Sequence, residues 1–138
     1  MIYGIGIDLC SIRRVQNIKD LNKFANKILT SGEIKHLDTL DQKNSVNYLA
    51  KQFAAKEALS KALGTGLIGD VKLNLIEIDR DQSGKPYIKM NDHMKTLLSK
   101  IGVNSTFVSL ADDSDYAVAT VILAVSYTHL TLPTKNEV

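Results

Sequence analysis

One helical pattern constrains this chain more than any other feature: it runs from residue 41 to residue 63 and stops at Gly64. Val46, Leu49, Phe53 and Leu63 fall near a single stripe of that helix. An amphipathic helix of this length lays its stripe on a broad apolar surface. Strands are the available partner. Residues 2–10 alternate with period two, which puts Tyr3, Ile5, Ile7 and Leu9 on one face and Gly4, Gly6 and Asp8 on the other. The glycine face admits another backbone or a ligand at close range.

Beyond the helix the period changes. Residues 73–79 read as a strand, 81–86 as a turn and 87–90 as the returning strand. Asn91 is placed to cap a helix through Lys100 that ends at Gly102. Residues 106–111 and 116–124 form two more strands around the polar turn Asp112-Asp113-Ser114-Asp115. Upstream of the long helix, Ser11 is placed to cap a helix over 12–21 with Val15 and Ile18 turned inward. A short helical segment follows over 22–29, and Thr30-Ser31-Gly32-Glu33 has the spacing of a capping box. The order of strand, helices, hairpin, helix and hairpin specifies an α+β domain, with a mainly antiparallel sheet packed against a long helix.

Composition narrows the class. A chain of 138 residues with 44% hydrophobic and 23% charged residues is an ordinary globular domain. Its formal net charge of +2 leaves no electrostatic footprint for nucleic acid. No apolar run is long enough to span a bilayer, and the N-terminus lacks a signal-peptide pattern. The single cysteine, Cys10, has no internal disulfide partner, fits a reducing cytoplasm and closes an apolar segment as a buried thiol would. One domain is expected over residues 1–124. Residues 125–138 follow a completed strand pattern and look like a translated adapter. They are read as a non-native tail, so His129 gets no functional weight.

The chemistry concentrates in Phe53-Ala54-Ala55-Lys56-Glu57-Ala58-Leu59-Ser60-Lys61-Ala62-Leu63-Gly64-Thr65-Gly66. Glu57 and Lys61 occupy adjacent turns of one helix face, and the glycines open a loop whose N–H groups suit a phosphate. Asp8, at the end of the first strand, is the candidate second carboxylate. Two hard oxygen ligands, completed by water and substrate phosphate, are what Mg2+ takes. On spacing alone, an exposed Glu–Lys pair worth about 0.3–0.5 kcal/mol is the plainer account of Glu57 and Lys61. A strand-end turn acid is the plainer account of Asp8.

Taken in chain order, Gly4-Ile5-Gly6-Ile7-Asp8, Arg13-Arg14, Phe53-Ala54-Ala55-Lys56-Glu57-Ala58, Lys61 and Gly64-Thr65-Gly66 closely resemble the holo-acyl-carrier-protein synthase family of 4'-phosphopantetheinyl transferases. Gly84-Lys85-Pro86, Val108-Ser109-Leu110-Ala111-Asp112 and Tyr116-Ala117-Val118-Ala119-Thr120-Val121 extend the resemblance over residues 1–124. It implies the 4'-phosphopantetheinyl transferase fold and transfer of phosphopantetheine from coenzyme A to a serine of an acyl carrier protein. It also implies a cytoplasmic role in fatty acid biosynthesis, without nucleic-acid or membrane partners. Mg2+ is expected on Asp8 and Glu57, with Glu57 helping to activate the attacking serine and Lys61 on the pyrophosphate. Ser60, Lys61, Gly64 and Thr65 match positions lining the coenzyme A site, and Lys85 and Pro86 border the nucleotide. Lys56 is either a phosphate contact or a solvated helix lysine. The first helix is expected to dock the acidic carrier protein through Arg14, with Arg13 beside it and Lys19, Lys23 and Lys27 nearby. A homotrimer with active sites between subunits is implied as well.

Two positions depart from the family pattern. Gln52 stands where many relatives carry arginine, which weakens a phosphate role there. Asp112 stands where some carry histidine, and is preferred as a turn aspartate. His36 and His93 have no metal-ligand spacing and are read as surface residues. Two other functions stay open: the same chemistry on a carrier domain of secondary metabolism, and a non-catalytic oligomer that binds coenzyme A or a carrier protein.

Overall fold

The computed structural model describes residues 1–126, apart from the side chains at positions 65, 66 and 68. Strand β1 (Ile2–Ser11) leads into helices α1 (Ile12–Gln16), α2 (Leu21–Ile28), α3 (Ser31–Leu37) and α4 (Gln42–Leu63). Strands β2 (Ile78–Arg80) and β3 (Pro86–Ile88) form a hairpin. Helix α5 (Asp92–Ile101) then precedes β4 (Ser105–Asp112) and β5 (Tyr116–Ala124). The main sheet is antiparallel in the order β1-β5-β4. It is the expected α+β arrangement, with α4 laid over β1 and β5.

Small residues let that helix come close. Ala50, Ala54, Ala55 and Ala58 of α4 and Ala117 and Ala119 of β5 are fully buried. A Cβ built on Gly4 would lie 2.1 Å from the Ala62 carbonyl oxygen, and one on Gly6 only 1.8 Å from that of Ala58. The glycine face of β1 therefore meets the backbone of α4 itself. The opposite face is left open: Ile5, Ile7 and Leu9 are 60%, 60% and 62% exposed.

The caps explain the helix boundaries. Asp41 caps α4 by accepting from the Asn44 N–H at 2.9 Å. The Thr30 capping box closes both ways, with Glu33 Oε1 accepting from the Thr30 N–H and Thr30 Oγ1 from the Glu33 N–H. Asn91 caps α5, and Gly102 ends it in the left-handed region at φ +71°.

Two expectations are corrected. The helix over 12–21 stops at Gln16, because Asp20 accepts from the Lys23 N–H and starts a new helix there. The strand over 73–79 shrinks to Ile78–Arg80. Leu73–Leu75 is a 3-10 turn, with the Leu75 N–H on the Lys72 carbonyl at 3.0 Å. The Leu73 carbonyl accepts instead from the Lys56 ammonium, outside any strand ladder. Val125 continues the β1–β5 edge by pairing with Met1, and the remainder of the expected tail, from 127, lies outside the described residues.

Candidate active site

The tight seating of α4 on β1 brings Asp8 beside the helix. Lys61 Nζ lies 3.0 Å from Asp8 Oδ1 and 3.1 Å from the Ile7 carbonyl. Glu57 is half-buried one turn before Lys61. Burial raises its carboxyl above the ordinary value, the Asp8 charge raises it further, and Lys61 pulls it back. The three residues read from sequence thus share one cluster, two interacting carboxylates and an ammonium whose side chain is 58% exposed. An ion pair this open contributes little stability, so fold stability alone does not account for it.

The chemistry of the donor set fits Mg2+. Among the described residues no group of three or more His, Cys, Asp or Glu residues gathers, and the carboxylates that interact here are Asp8 and Glu57. Mg2+ commonly takes one or two, with water and substrate phosphate filling its octahedron.

The helix end adjoins this cluster. Ser60 is half-buried and its hydroxyl donates to the Lys56 carbonyl at 3.0 Å. Gly64 takes φ +91°, with nothing within 4 Å of where a Cβ would stand. That conformation favours glycine and opens the backbone to an approaching ligand. Thr65 begins the 3-10 turn Thr65–Asp70, and its side chain lies outside the described residues.

Lys85 and Pro86 are not brought to Asp8. Their hairpin contacts β4, so β4 and β5 stand between it and β1. Beside it opens a cavity of about 510 Å³ lined by Tyr48, Lys51, Glu77, Arg80 and Asp112 among others, but by none of Asp8, Glu57 or Lys61. Arg13 and Arg14 are exposed on α1, directly after β1, and Lys19, Lys23 and Lys27 are exposed in the following residues.

Lys56 overturns both of its readings. It is fully buried, donating to Glu33 Oε1 at 2.5 Å, the Ile28 carbonyl at 2.5 Å and the Leu73 carbonyl at 3.0 Å. It is neither solvated nor open to a phosphate. Gln52 is buried too, donating to Glu33 Oε2 at 2.6 Å and to the Ile78 carbonyl at 3.1 Å. A signal for this was present in the sequence, since positions 52 and 56 fall on the same helical stripe as Leu49, Leu59 and Leu63.

Asp112 pairs with Lys51 at 3.7 Å, and Asp113 is the acid that holds the turn, accepting from the Asp115 and Tyr116 N–H groups. His36 is exposed against the Tyr48 ring, with centroids 4.9 Å apart. His93 is half-buried and accepts from the Lys72 N–H at 3.3 Å. Cys10 is buried in the core as expected, and burial raises its thiol pKa.

Comparison with known proteins places this geometry. Residues 4–121 match the profile of the 4'-phosphopantetheinyl transferase superfamily. The chain belongs to that family. It is 42% identical to the holo-acyl-carrier-protein synthase of Buchnera aphidicola subsp. Baizongia pistaciae over 124 residues, 88% of this chain and 96% of that one. Its fold superposes on the crystal structure of the Neisseria meningitidis holo-acyl-carrier-protein synthase with a TM-score of 0.81 at 39% identity, covering 90% of this chain and 99% of the other. A Bacillus anthracis holo-acyl-carrier-protein synthase, crystallised in complex with coenzyme A (3',5'-ADP), superposes with a TM-score of 0.77 at 35% identity, covering 91% and 99%. Asp8, Glu57, Lys61 and the hairpin all fall inside the matched span of the family profile.

Proposed function

We propose that this chain transfers the 4'-phosphopantetheine group of coenzyme A to a serine of an apo acyl carrier protein, as in fatty acid biosynthesis. The serine oxygen bonds to the β-phosphorus, the bond to the bridging oxygen of the α-phosphate breaks, and adenosine 3',5'-bisphosphate leaves. The observation that carries the reading is the Asp8–Glu57–Lys61 cluster inside a chain matched to this family over residues 4–121.

Each residue has a role that its chemistry suits. Asp8 and Glu57 would hold Mg2+, which would supply charge neutralisation at the pyrophosphate. The carboxyl of Glu57, raised by its surroundings, also accepts the proton of the attacking hydroxyl, directly or through water. Lys61, with its side chain 58% exposed, stabilises the leaving phosphate. Ser60, Gly64 and Thr65 border the pantetheine phosphate, and Lys85 and Pro86 border the nucleotide. Arg14, with Arg13, docks the carrier protein. The cation-rich surface of α1 and α2 favours an acidic acceptor.

The active enzyme is a homotrimer. Support comes from the apolar outer face of β1, where Ile5, Ile7 and Leu9 stand open beside Asp8, since exposed patches of this kind mark interfaces. The separation of Asp8 from the hairpin within one chain points the same way, because a neighbouring subunit can supply the second half. Among the described residues no helix is long and apolar enough to cross a membrane, and we place the enzyme in the cytoplasm.

Glu57→Gln tests the reading. The variant is expected to keep its circular dichroism spectrum and lose transfer by at least ~1000-fold. Turnover within tenfold of the parent would remove Glu57 from the site.

A further inference from the structure

The proposed mechanism leaves one buried ionisable pair without a role. Lys56 and Glu33 are 0% and 3% exposed, with every polar atom partnered. The three ammonium donors of Lys56 go to Glu33, to the Ile28 carbonyl at the end of α2 and to the Leu73 carbonyl. Glu33 Oε1 also accepts from the Thr30 N–H at 2.9 Å. Its Oε2 accepts from the Gln52 amide at 2.6 Å and from the Ile78 N–H at 2.8 Å.

A buried pair of this kind is seldom more stable than well-packed apolar side chains of similar volume. What apolar side chains cannot do is hold main-chain groups at chosen points. Two of the held groups, the Ile28 carbonyl and the Thr30 N–H, lie at the junction of α2 and α3, and the other two, at Leu73 and Ile78, define one segment. Between the end of α4 and the start of β2 the chain has no α-helix or strand, and it carries Gly64 and Thr65 at one end. Lys56 fixes its middle at Leu73, and Glu33 fixes its far end at Ile78, where the hairpin bearing Lys85 and Pro86 begins. Lys56 also directly precedes Glu57, so the anchor and the metal-facing acid sit on different sides of the same helix turn.

We infer that Lys56 and Glu33 are positioning residues for coenzyme A: they set the path of residues 64–78 against α4 and thereby hold in place each of the segments that border coenzyme A, Gly64 and Thr65 at its start and the hairpin beyond its end. The inference rests on the functional reading above. It predicts an effect on coenzyme A affinity, with the carrier-protein surface on α1 and the chemistry at Glu57 left in place.

The test uses the full chain and begins with wild-type transfer of phosphopantetheine to apo acyl carrier protein. Lys56→Met alone leaves Glu33 buried and unpaired and is expected to unfold at a lower temperature. The double variant Lys56→Met/Glu33→Leu has no unpaired charge. It is expected to recover part of the thermal stability lost by Lys56→Met, the freed main-chain groups holding back the rest, while KM for coenzyme A stays at least tenfold raised, with kcat and KM for the carrier protein within about twofold of wild type. A double variant with wild-type KM for coenzyme A would overturn the inference, as would an equal rise in both KM values. If the double variant fails to fold, Glu33→Gln is compared with wild type by amide hydrogen exchange. Faster exchange confined to residues 64–78 and reversed by coenzyme A supports the role, and unchanged exchange there overturns it. Wild-type protein that neither transfers nor binds coenzyme A would sink the functional reading first and this inference with it.

Discussion

Gly6→Ala probes the link between fold and site most sharply. The added methyl would stand 1.8 Å from the Ala58 carbonyl oxygen and 2.9 Å from the Ala62 nitrogen. Both are main-chain atoms of α4, so no side chain can swing away. Ordinary contact begins near 3.4 Å, and β1 and α4 must part by about 1.6 Å to reach it. Overpacking typically costs ~1–3 kcal/mol, and a clash of backbone against backbone belongs at the upper end, ~3 kcal/mol. The functional effect should be larger than the stability effect suggests. Asp8 lies two residues along the same strand, and its 3.0 Å contact with Lys61 crosses the seam that opens. A displacement near 1 Å is enough to lower a rate by ~100-fold. The assay is paired: urea unfolding, and transfer rate measured where the variant is fully folded. Gly102→Ala is the control, since it strains a left-handed position at φ +71° far from the seam and adds no contact within 4 Å. It should lose ~1–2 kcal/mol and keep its activity. Gly6→Ala with wild-type stability and rate would refute the claim that the glycine face sets the geometry of the site.

Three further outcomes are expected. Arg14→Ala should raise KM for the carrier protein about tenfold with KM for coenzyme A unchanged, and equal changes in both would count against docking on α1. Ile7→Lys, at a 60% exposed position of the outer sheet face, should turn a trimer into monomers by sedimentation velocity without unfolding the chain; an unaltered trimer would place the interface elsewhere. The Asp81 carboxyl is lowered by the Ser83 hydroxyl and by the Lys85 and Ser83 N–H groups. Its contribution is therefore complete above its unfolded value near 3.8 and is lost as pH falls through the folded one. Wild type should lose its stability advantage over Asp81→Asn below about pH 4 in thermal scans, and a constant difference down to pH 2 would contradict this.

Much of this was legible in the sequence because it is written in short-range patterns. Caps at Ser11, Thr30 and Asn91, the alternation of β1 and the stop at Gly102 are local and survive in the structure. Glu57 and Lys61 share a face by helical spacing alone, and the family pattern added Asp8. What failed was long-range. Nothing local reveals that Lys56 reaches Glu33 across two helices, or that its ammonium takes the Leu73 carbonyl and the backbone turns there. The helix break before Asp20 was misread because 12–21 has an acceptable inward stripe, and one aspartate side chain on the Lys23 N–H outweighed it. The separation of the hairpin residues Lys85 and Pro86 from Asp8, set by strand order on the far side of β4, is likewise written in no local pattern.

The central claim is Mg2+-dependent phosphopantetheine transfer, and intact-mass spectrometry of an apo acyl carrier protein tests it most directly. Incubated with this protein, coenzyme A and Mg2+, the carrier should gain one phosphopantetheine group on its serine, and a parallel sample in EDTA should gain none. No mass gain in Mg2+ from a folded protein would contradict the transfer itself, and an equal gain in EDTA would contradict the metal role of Asp8 and Glu57.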